Sequence, residues 1–399
     1  MKIITSSFST FHNLDQAKVF YKNGDLFKFI TGVPKKFIEN HKDVPNEKVL
    51  SIKFPFLIGF LSNKLRFIIG EKLFSITQRY SHNCFSRGLA KRITSSIDVF
   101  IGCSSFSYEA LVKAKKLNPN CLTIIDHASL NEEFELEQKL IEQEKNGFLV
   151  TGNSIQKWLI DKENLEHKEA DFIILHSNFA KKTFIEKGYK ESKLIVIHPS
   201  INVKKFKKTT KRDDKFRVLF CGSVEPRKGV HYLLEAFVSL KLDDAELWII
   251  GSLDYLKIDK NFKQLISKYH KKNIIFFNSI DSNKLKEYFS QCSILVLPSI
   301  SDGFGLVVMQ AMACNLPVIT SENTGASDLI NPGKNGFVVE NRNISSIAEQ
   351  IKYFYKNPDK VKEMGENAFK TSQKTSTWDD YGERWLNTLN KLIVKEKEI

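Results

Sequence analysis

At 399 residues, with 42% hydrophobic and 27% charged side chains, the chain is too long for one ordinary domain and too apolar to be disordered, so two domains of about 200 residues are expected. A formal net charge of +14 favours anionic surfaces, either nucleic acid or the inner leaflet of a membrane. No apolar run of about 18 residues is present to span a bilayer, and the six cysteines form no Cys-x-x-Cys pair, which fits small buried hydrophobes in a reducing compartment.

The opening residues Met1 to Ser7 read as a strand and a turn, followed by His12, without the apolar core of a secretory leader; a cytoplasmic location is expected. Phe54 to Leu61, continued by Lys64, Leu65, Arg66, Phe67, Ile68 and Ile69, has the length of a core helix or of an interfacial helix whose basic edge meets anionic lipid. Leu122 to Ile125 is strand-like and delivers Asp126-His127-Ala128-Ser129 at its C-terminal end, where open α/β sheets place their sites. A Glu- and Gln-rich helix follows over Asn131 to Asn146. Asp171 to Leu175 reads as the last strand of this half, with Ser177 as the N-cap of the next helix.

Lys204, Lys205, Lys207, Lys208, Lys211 and Arg212 then crowd a stretch poor in apolar residues. It reads as a basic linker over 204–215, dividing a domain at 1–203 from one at 216–376. Phe216 to Phe220 alternates as a strand and enters Cys221-Gly222-Ser223-Val224-Glu225-Pro226-Arg227-Lys228-Gly229, ahead of a helix with apolar residues at Val230, Leu233, Leu234 and Phe237. Strand, tight turn and helix start form the geometry by which doubly wound sheets bind phosphate. Cations at a helix N-terminus oppose the dipole unless an anion sits there, so Arg227 and Lys228 are candidate phosphate ligands.

Glu246 to Ile250, ending at Gly251, and Ile274 to Phe277 are further strands, and Asn283 to Ser290 is a short helix. Ser293 to Pro298 is a buried strand leading into Ser299-Ile300-Ser301-Asp302-Gly303-Phe304-Gly305-Leu306, with a helix beginning near Gly305 and carrying Gln310 about a turn and a half inside. Asp302 and Gln310 can therefore face one cleft. Leu316 to Thr320 is a strand, Thr324-Gly325-Ala326 opens a helix, and Gly333 to Val339 gives a turn and last strand. An amphipathic helix over about 377–395 closes the chain. Strands alternating with helices call for parallel sheets with right-handed crossovers.

The acid, Gly-Phe-Gly and polar residue of Asp302 to Gln310, with Lys228-Gly229 upstream, resemble the retaining glycosyltransferases of family 4 over roughly Ala170 to Tyr381. That resemblance implies a GT-B architecture, two Rossmann-like α/β domains facing a cleft, with the closing helix returning to the first domain. It implies that Asp302 bonds a hydroxyl of the donor sugar and that Gly303, Phe304, Gly305 and Leu306 approach sugar and phosphate. Gln310 would hold the ribose, and Gly222, Ser223, Arg227, Lys228 and Gly251 would surround the diphosphate. His127 is the implied contact near the reacting carbon, although a histidine after a strand is equally a packing residue. The chain departs from the pattern by having Asp302 and Gln310 where the family has two glutamates, and Ser223 at the usual arginine, whose charge Arg227 can supply.

The implied reaction is transfer from a nucleoside diphosphate sugar to a glycan or lipid-linked acceptor with retention, in cell-surface polysaccharide or glycolipid synthesis. Asp213-Asp214, Asp243-Asp244 and Asp379-Asp380 lie in linker, loop and helix contexts, so neither a metal nor a cofactor is expected; Lys228, Arg227 and helix ends would stabilise the leaving group. Peripheral contact with an anionic membrane fits the charge, and nucleic acid is disfavoured because basic and aromatic residues do not cluster. The departures motivate an alternative, a non-catalytic GT-B protein that only binds nucleotide-sugar.

Overall fold

In a computed structural model, described for residues 1–9, 12–38, 43–150, 153–269, 271–374 and 377–397, the first half contains β1 (Ile3–Ser7), α1 (Asn13–Lys22), β2 (Leu26–Thr31), β3 (Val49–Ser51) and α2 (Lys53–Ala90). It continues through β4 (Val99–Cys103), α3 (Tyr108–Leu117), β5 (Leu122–His127), α4 (Glu132–Asn146), α5 (Asn153–Glu169), β6 (Phe172–Leu175), α6 (Asn178–Glu186) and β7 (Leu194–Val196). The second half runs β8 (Arg217–Cys221), α7 (Val230–Ser239), β9 (Glu246–Ile250), α8 (Lys260–Ser267), β10 (Ile274–Phe277), α9 (Leu285–Phe289) and β11 (Ile294–Leu297). It ends with α10 (Leu306–Ala313), β12 (Val318–Ser321), β13 (Gly336–Val339), α11 (Ile344–Lys356), α12 (Pro358–Lys374) and α13 (Trp378–Lys397).

The strands form two parallel sheets, ordered β3-β2-β1-β4-β5-β6-β7 and β10-β9-β8-β11-β12-β13. β1, β5, β8 and β11 are buried along their whole length, as required of parallel strands covered by helices on both faces. In each sheet the order reverses beside its first strand, between β1 and β4 and between β8 and β11. Loops diverge there and leave a crevice at the C-terminal strand ends.

Tyr381, Trp385, Leu389 and Leu392 recur at helical spacing on α13 and bury against Leu14, Ala17 and Phe20 of α1. Each such side chain contributes roughly 1.5–3 kcal/mol by leaving water, so this face holds the last helix on the first sheet's layer.

The stretch read as a linker over 204–215 is partly core: Phe206 is buried in the hydrophobic core of the second sheet together with Val203, the last residue assigned to the first domain, and the Phe206 carbonyl accepts from Cys314 Sγ. Two apolar residues among lysines are enough to pin it. Thr324-Gly325-Ala326 opens only a 3-10 turn, Gly325–Leu329. The segment at 54–69 is the first arm of α2, a helical hairpin bent at Gly70, whose φ of 73° is left-handed. It is not a core helix, since Phe54, Leu57, Phe60, Leu61 and Ile68 are exposed, as are Leu73, Ile76 and Tyr80 on the second arm.

Candidate active site

The crevice between β8 and β11 is shaped by two glycines. Gly229, at φ 66°, ends the short 3-10 turn Pro226–Lys228 and precedes α7; a Cβ there would lie 1.9 Å from the Pro298 carbonyl oxygen, so only glycine lets the two loops approach. Gly305, at φ 82°, directs the chain into α10. Phe304 between the glycines is 4% exposed and packs in the second domain's core, which anchors the turn. In the first turn of α10 the Val308 N–H bonds back to the Gly305 carbonyl, Leu306 is exposed and Gln310 is half-buried, so the helix starts beside the crevice with the N-terminal end of its dipole there.

Lys228 and Asp302 meet across this crevice, Nζ to Oδ2, at 2.5 Å. Burial by itself would raise the Asp302 carboxyl; Lys228 and Arg227 overcome it and hold the group below its usual range. Arg227 donates to the Ser301 carbonyl at 2.9 Å and to the Glu225 carboxylate at 3.0 Å. Both cations therefore sit where a diphosphate can exchange with a carboxylate partner. Gly222 and Gly251 pack so closely that a Cβ on Gly251 would lie 1.8 Å from the Gly222 carbonyl oxygen, which brings the loops after β8 and β9 together beneath Ser223.

Ser223, Glu225, Arg227 and Tyr255 line a pocket of about 360 Å³, closed on the other side by Arg66 and Glu142 of the first domain. Ser301 also lines it, and its buried hydroxyl has no hydrogen-bond partner among the described residues. Nothing in its sequence context marks Ser301, a small polar residue between Ile300 and Asp302. A larger groove of about 1490 Å³ lies at the opposite edge of this sheet, around Lys208, Phe216, Glu246 and Asn315. It adjoins the N-terminal strand ends, whereas ligands of parallel sheets bind at the C-terminal ends, so the smaller pocket is the candidate site.

The first domain faces it closely. Ser177 Oγ donates to the Gly303 carbonyl at 2.8 Å, and Gly303 lies against Ala128 and Ser129, so that a Cβ would come within 2.5 Å of the Ala128 carbonyl oxygen. Glu142 on α4 accepts from Arg342 at 2.6 Å and lies 3.2 Å from His231 Nε2, fastening α4 to the second domain.

His127 is not in the cleft. Adjacent side chains of a strand point to opposite faces. In β5, Asp126 points towards His12 Nε2 at 2.8 Å and His176 Nε2 at 3.2 Å, while His127 points inward to Ser104 Oγ at 2.8 Å and the Leu130 carbonyl at 3.0 Å. His127 is fully buried. The residues sequence reasoning undervalued are His12, partly exposed at the start of α1, and Asp126. Asp126 is fully enclosed; burial would raise its carboxyl, but the two imidazoles hold it far below the usual range.

At the first sheet's own crevice the loop after β1 meets the loop after β4 through rings. Phe8 stacks on Phe106 with centroids 4.3 Å apart, and His82 also stacks on Phe106, at 3.9 Å, with Trp158 edge-on to His82. Burial pushes the His82 imidazole down to about 3, so it is a neutral aromatic wall. Phe8 continues through Phe56 to Phe60 on α2. These rings are dispersed in sequence and carry no motif.

Residues 202–371 match the family model described as glycosyl transferases group 1. The capsular polysaccharide biosynthesis glycosyltransferase CapM of Staphylococcus aureus is 28% identical over 201 residues, 47% of this chain and 48% of that protein. A D-inositol 3-phosphate glycosyltransferase of an Arthrobacter species is 30% identical over 159 residues, 39% and 38% of the two chains. The chain spans about half the length of the curated relatives it matches. Among solved structures, sucrose-phosphate synthase from Thermosynechococcus elongatus superposes with a TM-score of 0.71 at 17% identity, covering 99% of this chain and 100% of that one. Anabaena HepE, in complex with UDP and glucose, gives 0.67 at 17% identity over 98% and 100%. The two facing parallel sheets are thus the GT-B fold.

Proposed function

We infer that this chain, a GT-B protein whose residues 202–371 match the model of the group 1 glycosyl transferases, transfers a glycosyl unit from a nucleoside diphosphate sugar to a glycan or lipid-linked acceptor, with retention. The observation that carries the reading is the Lys228–Asp302 pair at the crevice where strand order reverses, flanked by Arg227 and the N-terminus of α10.

On donor binding the diphosphate takes Lys228 and Arg227 from their carboxylate partners, and Asp302 is released to accept a hydrogen bond from a sugar hydroxyl. The bond between the anomeric carbon and the phosphate oxygen breaks while the acceptor oxygen bonds that carbon from the same face. The acceptor proton passes to the departing phosphate oxygen, so no enzymatic base is needed. Lys228, Arg227 and the helix N-terminus meet the growing charge, with no metal required in this step. Contact of Ala128 and Ser129 with Gly303 excludes water from the donor.

Two features bear on the acceptor. The first domain's crevice is walled by rings that lead from Phe106 through Phe8 and Phe56 to Phe60 on the exposed face of α2. The hairpin also carries Lys53, Lys64, Arg66, Lys72 and Arg79 along its length, with Glu71 as its acidic residue. An apolar, cationic hairpin suits an anionic bilayer surface and a lipid-linked acceptor. Among the described residues no helix is long and apolar enough to cross a membrane; the contact proposed here is peripheral, on the inner face.

The complex of HepE with UDP and glucose makes UDP-glucose the first donor to test. Calorimetric titration with UDP, GDP and ADP, followed by NMR of the product's anomeric proton, checks the reading. Binding without turnover on any acceptor would indicate a non-catalytic binder, and binding of none would overturn the assignment.

A further inference from the structure

We propose that His127, Glu163 and His167 form a buried site for a zinc-like divalent cation inside the first domain, behind the cleft wall. One donor atom of each residue lies within 4.8 Å of the other two, and all three residues are buried. Glu163 and His167, one helical turn apart on α5, share a face, and β5 ends at His127 opposite them.

The hydrogen bonds fix what the nitrogens present. His127 Nε2 faces the Leu130 carbonyl, an acceptor only, so Nε2 carries the proton and Nδ1 offers a lone pair. Tyr189 donates its hydroxyl proton to Asn164 Oδ1 at 2.7 Å, so its oxygen accepts Nδ1–H of His167 at 3.1 Å. His167 Nε2 is therefore also a lone pair, and it is buried with no partner among the described residues. Two imidazole lone pairs and a carboxylate converge without a donor to satisfy His167, in an interior where an unmet polar atom is disfavoured.

Each ligand is held from behind as metal ligands are: His127 by a carbonyl, His167 by a phenol, and Glu163 Oε1 by the Ser105 hydroxyl at 2.5 Å. Ser104 Oγ, 2.8 Å from both His127 Nδ1 and Glu163 Oε1, stands at the fourth corner. Two nitrogens and oxygen ligands suit zinc, at about 2.0–2.2 Å from each donor, better than magnesium or calcium; the donors would draw inward to that ion. Glu166 is not available, because its oxygens accept from the backbone of Ser105, Ser107 and Tyr108. The other converging group, His12, Asp126 and His176, needs no ion, since both imidazoles and Asn13 bond the carboxylate directly.

The ion would tie the loop after β4, the end of β5 and α5 together behind Ala128 and Ser129, which abut Gly303. It would stiffen the wall facing the donor domain without touching the reacting atoms, and it does not depend on the transfer reading. The test is the metal content of the full chain, expressed with added Zn²⁺ and dialysed against EDTA, and the visible spectrum of protein expressed with Co²⁺ instead. Stoichiometric zinc that survives dialysis and the intense visible bands of tetrahedral cobalt are expected. His167→Gln and Glu163→Gln should lose both signals while His12→Gln keeps them. Absence of retained metal in the natural chain, which stands whether or not a variant folds, would overturn the proposal. Equal retention by His167→Gln and Glu163→Gln would overturn it too.

Discussion

Lys228 and Asp302, 74 residues apart, are joined at 2.5 Å between the loops after β8 and β11. Their side chains are only 15% and 10% exposed, so each is the other's main compensation until a ligand arrives.

Lys228→Ala should therefore fail twice. Loss of a charge-assisted contact weakens nucleoside diphosphate binding by about 1.5–3 kcal/mol, and the uncompensated carboxylate destabilises the fold by roughly 3 kcal/mol. Combining it with Asp302→Ala should restore much of the thermal stability but none of the affinity. If calorimetry showed the double variant binding UDP like the natural chain, Lys228 would not be a phosphate ligand.

Asp302→Ala and Gln310→Ala should separate sugar from nucleotide. Removing Asp302 frees Lys228, so affinity for the free diphosphate should hold or rise while turnover of the nucleotide-sugar falls. Gln310→Ala should weaken free nucleotide and nucleotide-sugar alike by about 0.5–1.5 kcal/mol. Equal loss of free-nucleotide affinity in both variants would contradict this division.

Arg227 is shared with Glu225 at 3.0 Å. Glu225→Gln should strengthen diphosphate binding by at most about 1 kcal/mol, the range of a partly exposed ion pair, whereas Arg227→Ala should weaken it. Titration of the two variants side by side checks the sign, and weaker binding by Glu225→Gln would show that the carboxylate positions Arg227 instead of competing for it.

Domain closure should depend on pH through Glu142. Burial would raise its carboxyl, but His231 and Arg342 hold it below its usual range. A depressed carboxylate stabilises the contact above the unfolded value, about 4.3, and that contribution is lost as pH falls through the folded value. Small-angle scattering should show the radius of gyration rising in acid for the natural chain and already raised at neutral pH for Glu142→Ala. A pH-independent radius equal in both would refute the latch.

The hairpin should bind anionic vesicles. The full chain is expected to co-sediment with phosphatidylglycerol vesicles and not with phosphatidylcholine alone, more weakly at high salt. Ile68, 81% exposed beside the bend at Gly70, should be a principal apolar contact, so Ile68→Ser together with Leu57→Ser should reduce binding while leaving UDP affinity unchanged. Equal sedimentation with both lipids would point to non-specific adhesion.

The strand-turn-helix units at Gly222 to Gly229 and Gly303 to Gln310 were legible from sequence because their signals are local: apolar runs, glycines at left-handed turns and a following helix period. The amphipathic face of α13 was legible for the same reason. What only the tertiary structure decided is which residues those units meet. The phase of β5 turned His127 inward and Asp126 towards His12, a difference of one position that composition cannot report. The partnership of Lys228 with Asp302 follows from strand order, which places β8 beside β11. Exposure of α2 depended on what packs over it, because an apolar helix reads alike in a core and on a surface. Val203 and Phe206 show the converse, since apolar side chains lost among lysines are drawn into a core whenever the adjoining strand delivers them there. Local chemistry wrote the motifs, and packing between residues distant in the chain chose their partners.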